Sequence, residues 1–477
     1  MTELPKGWAL ATVNDLIGSN GLFVDGDWVE SKDQDPGGEV RLTQLADVGE
    51  GQWRNRSDRY LTAPTADQLG CSYLEVDDVL VARMPDPLGR ACLFPGDPRP
   101  CVTVVDVAIV RPGPDSVRPR WLMWAINSPA IRAAIEAQQA GTTRKRISRK
   151  NLGQVEVQVP PLAEQERIVT AIEEAFSKLD AGEAGLRVVR QLLKRMRDAI
   201  LSAAVTGRLV PQDPTDTPAA KLLADLGVEA AEPDGVPELP PSWAWTELGV
   251  IAEVVGGVTK DSKRQSDASF VEVPYLRVAN VQRGFLDLET ITTIRVAPEK
   301  AAQLELQRGD VLFNEGGDRD KLGRGWVWES QIASCIHQNH VFRARLSGGV
   351  EPKLVSIWGN TFGRGWFEDR GKQTTNLASL NLKTLKAFPV PIAPVEEQSR
   401  ILAEVERQMS FLDACERAVE IGLARSAGLR RSVLKAAFEG RLVPQDPSDE
   451  PATVLLERIR AERSVQSVAK RRARQTA

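Results

Sequence analysis

Stepped alternately by four and three from Ile168, the chain sets an apolar or small residue at every stop: Ile168, Ile172, Ala175, Leu179, Gly182, Leu186, Val189, Leu193, Met196, Ile200 and Ala203. The same frame moved on by 233 positions gives Ile401, Val405, Gln408, Leu412, Cys415, Val419, Gly422, Ser426, Leu429, Val433 and Ala436, a weaker seam interrupted at Gln408, Gly422 and Ser426. A 3.5-residue spacing held over about five heptads is the pattern of helices that pair lengthwise. Two amphipathic helices, each packed on its own domain, is the plainer alternative. The shared frame favours seams that face each other, with Ile168, Ile172, Leu179, Leu186, Leu193 and Ile200 on one side and Ile401, Val405, Leu412, Val419, Leu429 and Val433 on the other. At about 1.5 Å per residue, a helix of roughly 40 residues is a strut about 60 Å long. Pro160-Pro161 and Pro391 to Pro394 stop whatever precedes each helix, and Gly207 and Gly440 close them.

The two seams belong to a repeat. Gly-Arg-Leu-Val-Pro-Gln-Asp-Pro occurs at 207–214 and again at 440–447, which marks an internal duplication. Flanking landmarks agree: Leu201 to Ala204 match Leu434 to Ala437, and Leu4-Pro5 with Trp8 resembles Leu239-Pro240 with Trp243. Between landmarks only scattered pieces persist, such as Asp78-Val79-Leu80 with Asp310-Val311-Leu312, and Leu88-Gly89-Arg90 with Leu322-Gly323-Arg324. The chain reads variable, constant, variable, constant. A part that differs between copies suits a partner that differs; a part that stays the same meets the same partner twice.

In the variable regions, Val76–Val81, Val102–Val110 and Val271–Val278 carry β-branched strand patterns, while Trp121–Ile135 and Pro352–Phe362 look helical. Mixed α/β modules are therefore expected at 1–160 and 239–393. Spacer helices are expected at 161–207 and 394–440, a proline-rich linker with one short helix (218–226) at 208–238, and a C-terminal segment at 441–477 ending in the frayed basic tail Lys470-Arg471-Arg472 and Arg474.

Composition narrows the class. The chain has 477 residues, 42% apolar and 26% charged, enough for two or three cores. No apolar run approaches the ~20 residues of a membrane span, and five cysteines without paired spacing suit reduced thiols, so a cytoplasmic location is expected. A net charge of −4 gives no global basic signature, and nucleic-acid contact would rest on local patches.

One such patch is Gly141 to Asn151, where Thr142, Thr143, Arg144, Lys145 and Arg146 stand in a run without an acid; its counterpart holds Lys372, Gln373, Thr374 and Thr375. Hydroxyls, amides and cations suit phosphate oxygens and base edges, although a solvated loop is the bland alternative for either run alone. A second candidate is Asn314 to Arg324, with Asn314, Arg319, Lys321 and Arg324 among glycines, answered in the first copy by Arg83 to Arg90. Both histidines lie in Cys335-Ile336-His337-Gln338-Asn339-His340, but the equivalent Cys101–Asp106 has none, which favours base contact or simple structure over a metal site. No adenosylmethionine turn, no Asn/Asp-Pro-Pro-Tyr/Phe tetrapeptide and no Walker sequence is visible, and no catalytic centre is expected.

The duplicated helix starts, Val159-Pro160-Pro161-Leu162-Ala163-Glu164-Gln165-Glu166-Arg167-Ile168 and Val390-Pro391-Ile392-Ala393-Pro394-Val395-Glu396-Glu397-Gln398-Ser399-Arg400-Ile401, together with Gly309-Asp310-Val311-Leu312-Phe313-Asn314, resemble the specificity (S) subunit of type I restriction–modification systems. The first copy departs by having Asp77-Asp78 where the second has Gly309-Asp310. The resemblance implies an α/β fold of two mixed α/β target recognition domains, separated by two long helices paired as an antiparallel coiled coil, with a pseudo-twofold internal repeat. It implies a non-catalytic chain that reads a split, asymmetric site on double-stranded DNA and docks two modification (methyltransferase) subunits and, where the system cuts, two restriction (motor–nuclease) subunits. Adenosylmethionine, ATP and Mg would come with those partners, and none is expected in this chain. A duplicated scaffold that pairs proteins without touching DNA is the alternative.

Overall fold

The computed structural model of the protein describes residues 4–85, 87–140, 145–261, 264–266, 268–317, 321–373 and 378–476. The chain divides into two compact units, one built from residues 1–186 and 421–477, the other from 187–420. The division runs through the middle of each long helix. No helix among the described residues is long and apolar enough to cross a membrane.

Each unit repeats one sheet plan. In the first, strand Ala9–Thr12 pairs antiparallel with Glu156–Val159, closing the module's start against its end. A four-stranded antiparallel sheet has the order Leu22–Asp25, Val107–Arg111, Val79–Ala82, Ala91–Leu93. A three-stranded sheet sets Val40–Thr43 between Arg59–Leu61 and a parallel Cys101–Thr103. In the second unit Ala244–Glu247 pairs with Pro389–Ile392. The larger sheet runs Ala252–Gly256, Val341–Leu346, Val311–Asn314, Gly325–Val327, and the smaller sets Val271–Leu276 between Thr292–Val296 and a parallel Ile336–His337. The order and sense of pairing are the same although little of the sequence is.

A few buried polar contacts recur with the plan. Asp78 takes a bidentate pair from Arg111 (2.6 and 2.8 Å), and Asp310 takes one from Arg345 (2.8 and 2.8 Å). Both carboxylates are essentially inaccessible, so each pair locks the strand that follows it in register. The Asn127 amide exchanges two hydrogen bonds with the backbone of Ala91, as Asn360 does with Gly325. The expected strand 102–110 is two strands broken by a turn, and the helix expected at 121–135 is two, Pro119–Asn127 and Pro129–Ala137, split where Ser128 precedes a proline.

The long helices run Leu162–Ala204 (43 residues) and Val395–Phe438 (44 residues), each closed by a glycine in the left-handed region, Gly207 at φ 67° and Gly440 at φ 69°. Their starts explain the duplicated motif. Glu164 accepts the Trp8 indole N–H and Glu397 that of Trp243, both at 3.0 Å. Gln165 donates to the Pro160 carbonyl and accepts the Arg118 amide; Gln398 donates to Ala393 and accepts the amide of Glu351. Burial pushes both glutamate carboxyls up from their ordinary range, against the pull of the indole donors. These constant residues hold helix starts to their modules.

Within the first unit, Arg430 reaches Asp180 (2.6 Å) and Glu183 (3.2 Å), Ser426 donates to Glu183, and Leu186 fills the space a side chain on Gly422 would need. Within the second, Arg197 bridges Asp413 (2.6 Å) and Glu416 (3.2 Å), and Arg190 meets Glu420. Gly422 and Ser426, which interrupt the seam in sequence, are accommodated by the facing helix. Leu429, expected in the seam, is instead 43% exposed, while Leu434 and Ala437 are buried. Val189 and Met196, stops of the first frame, are exposed as well, whereas Val433, four residues beyond Leu429 in the same frame, packs against the first unit's core.

The C-terminal segment also departs from expectation. It forms a helix, Ala452–Thr476, which runs through the basic residues expected to fray, and its first turns are anchored where Ala452, Leu455, Leu456 and Ile459 insert into the first unit's core. Leu412→Ala, at a residue 1% exposed, should cost about 2–4 kcal/mol in denaturant unfolding. Ile421→Ala, at a residue 68% exposed, should cost less than about 0.5 kcal/mol.

Candidate nucleic-acid interface

The basic run of the first copy leaves from a closed frame. Ala140 and Arg146 exchange two backbone hydrogen bonds of 2.9 Å, and the Ile147 amide donates to the Arg83 carbonyl. Thr142, Thr143 and Arg144 lie outside the described residues; Lys145 and Arg146 are exposed. In the second copy, strand Lys372–Gln373 pairs with Ala378–Ser379, which also pairs with Gly316–Gly317. Thr374, Thr375 and Arg319 lie outside the described residues. Both polar runs thus start and finish at paired backbone, which brings their ends together.

The second set of candidates sits elsewhere. Arg90 is 4% exposed and donates to the carbonyls of Val48 (2.7 Å), Leu45 (2.8 Å) and Pro87 (3.0 Å). Arg83 is buried against Asp25 (3.0 Å) and the Val105 carbonyl, and desolvation pulls both guanidinium groups below their ordinary range. Asn314 is wholly buried, its amide on the Val278 and Val281 carbonyls. These three are corrected from DNA contacts to structural braces, because reaching a phosphate would first unmake those bonds. Half-buried Arg324 donates to Val278, and half-buried Lys321 shares its turn.

The reading of the sequence passed over Arg463, which comes from the C-terminal helix to line an open depression with Asn14, Phe23, Arg149 and Lys150. Its signal was hidden once that helix was read as a tail. Among the described residues no three His, Cys, Asp or Glu side chains converge as metal ligands. His337 is buried, with Nδ1 2.6 Å from the Val341 carbonyl, and exposed His340 contacts Glu315.

No family model matches the chain. It is 26% identical over 348 residues to the EcoKI type I restriction enzyme specificity subunit of Escherichia coli, covering 71% of this chain and 70% of that one. It is 29% identical over 350 residues to the EcoBI specificity subunit of Escherichia coli, covering 70% of each. The chain is thus similar to type I restriction enzyme specificity subunits over about 70% of its length. Solved structures with the same fold are a chain from a study of complex assembly and conformational transition in a type I restriction–modification system (TM-score 0.61, 19% identity, 92% of this chain and 100% of that one) and the HsdS subunit of Thermoanaerobacter tengcongensis (TM-score 0.54, 17% identity, 92% and 98%).

If the exposed basic run meets phosphates, as its sequence leads one to expect, Lys145→Ala with Arg146→Ala weakens DNA binding and lowers the slope of log K against log salt by about 1 per lost phosphate contact, read in salt titrations. His337 has its own signature. Desolvation lowers its pKa from 6.5 to about 4. Between those values the unfolded chain takes up a proton that the folded one refuses. Stability is therefore full above about pH 6.5 and is lost as the pH falls toward 4, by at most about 3 kcal/mol. His337→Gln should flatten that dependence in urea melts at pH 7.5 and 5.

Proposed function

We propose that this chain is the non-catalytic, sequence-reading subunit of a type I restriction–modification complex. Each module reads one half of a split, asymmetric site on double-stranded DNA, and the long helices pair as an antiparallel coiled coil that sets the unread gap between the halves. The observation that carries this reading is a contrast within one chain. Sheet plan and helix-start contacts repeat residue for residue, from Trp8–Glu164 to Trp243–Glu397, while the polar runs leaving the same frames differ, Arg144-Lys145-Arg146 against Lys372-Gln373-Thr374. Invariant scaffold with changed tips suits two different words read by one device.

The helices also carry surface that this chain leaves uncovered. Val188, Leu192 and Met196, spaced by four on one face, are 57%, 48% and 48% exposed, and Phe411 is 62% exposed. A stripe of that kind suits a partner helix, and we assign it to the modification subunits, two per chain because the constant parts come twice. Adenosylmethionine, ATP and Mg belong to the modification and restriction partners.

Replacing 239–393 with the corresponding module of another type I specificity subunit should change one half of the methylated site and leave the other intact, as read by mapping methylated bases in a host expressing the complex. A change in both halves would refute the division of labour.

A further inference from the structure

A loop that the sequence reading left aside is held more rigidly than its composition suggests. Asp47 is wholly buried, and its carboxylate accepts three backbone amides: Gln44 (2.7 Å), Arg56 (2.6 Å) and Ser57 (2.8 Å). Its own carbonyl accepts the amide of Arg54. Ser57 is fixed twice more, by its hydroxyl donating to the Leu42 carbonyl and by its carbonyl accepting from buried Arg41. Beneath the loop, Arg90 donates to Leu45 and Val48, and Gly51, at φ 73°, packs against Trp124.

On this anchored backbone Arg54, Asn55 and Arg56 are exposed, and none of their side chains has a hydrogen bond or ion pair among the described residues. Asn55 holds the left-handed conformation, φ 49°, at the crest. Arg59 is tied to Gln34, and exposed Asp58 is the one acid between Arg54 and Arg59. The loop shares a platform with the basic run: the Val79–Ala82/Ala91–Leu93 turn carries Arg90, which braces the loop, and Arg83, whose carbonyl receives Ile147.

The second copy keeps the device and changes its face. Asn280, also buried, caps the Arg277 amide with its oxygen and donates its amide to the carbonyls of Asp287 (2.9 Å) and Thr290 (3.0 Å). The segment there that answers Arg54–Asp58 reads Asp287-Leu288-Glu289-Thr290-Ile291, without a cation. Exchanging a carboxylate for an amide turns the hub from one that gathers N–H groups into one that also gathers carbonyls, so each loop is fixed but differently displayed.

We propose that Arg54, Asn55 and Arg56 are specificity-determining residues that read base edges in the half-site of the first module, with Asp47 as the positioning residue. Guanidinium forks suit the paired acceptors of guanine, and an asparagine amide suits adenine. Pre-organisation by the Asp47 hub removes the ordering cost a free loop would add on binding. The corresponding loop of the second module makes no cationic base contact.

This rests on the reading that the module binds DNA, and the test separates the two. The full chain is assembled with its modification subunit, and methylated sites are mapped for the wild type, Arg54→Ala/Arg56→Ala, Arg54→Lys/Arg56→Lys and Asn55→Ala, with melting temperatures recorded. The expected result is loss of roughly tenfold to hundredfold discrimination at one to three positions of one half-site. The lysine pair should lose discrimination while keeping the wild-type salt slope, which a merely structural role would not produce. Unchanged preference in folded variants, with a wild type that still reads a split site, overturns the inference and leaves the function standing. A wild-type complex with no sequence preference overturns both.

Discussion

Two buried acid–amide couples, Glu164-Gln165 and Glu397-Gln398, bear the weight of this architecture. Each sits in the first turn of a helix more than 40 residues long, and each must find partners because burying it unpaired would cost several kcal/mol. The partners come from the module that precedes the helix: an indole N–H, a carbonyl and a backbone amide. A globular module is thereby clamped to a rod at a fixed angle of departure, twice, by the same atoms. The second clamp layer is ionic and crosses between copies. Arg167 pairs with Asp449, and Arg400 with Asp216, so each helix start is tied to the segment that follows the other helix. An isolated exposed pair contributes little, but Asp449 and Asp216 are nearly buried and the geometry is bidentate, which makes these closures specific.

The clamps account for what may vary. Once the ends of a module are fixed, by strand pairing of its first residues with its last and by the indole–glutamate bond, the loops at the far side of its sheets carry no such duty. Side chains there can change without loosening the rod. The division between constant and variable sequence is, physically, a division between residues that satisfy buried polar groups at the clamp and residues that face water until a ligand arrives.

How much of this could be read from the chain depends on the range of the interactions. Local periodicity and punctuation marked the long helices and their glycine ends, and the β-branched run at 76–81 marked a strand that the structure sets at Val79–Ala82. Long-range burial was invisible. Arg83 and Arg90 look like mobile cations among glycines, yet their donors are spent on carbonyls as far as 45 positions away. Asn127 and Asn360 end unremarkable helices, and nothing nearby announces that they lock to a strand. The heptad frame marked buried positions such as Ile401, Val405, Leu412 and Val419, but also the exposed Val189, Met196 and Leu429, whose surroundings lie outside local periodicity. The loop at 54–59 was overlooked because its organising residue, Asp47, stands apart from the cations it displays.

The discontinuity of the first unit has a consequence for synthesis. Its core includes Leu434, Phe438, Leu455, Leu456 and Ile459, which are made only after residues 187–420, whereas the unit spanning 187–420 is contiguous and can finish earlier. The amino-terminal half of the nascent chain must therefore wait, with apolar surface unsatisfied, while more than two hundred residues are translated. Closing so long a loop adds only slowly growing entropy, so the finished protein bears little penalty; the exposure falls on the interval of waiting, when a chaperone would find its substrate.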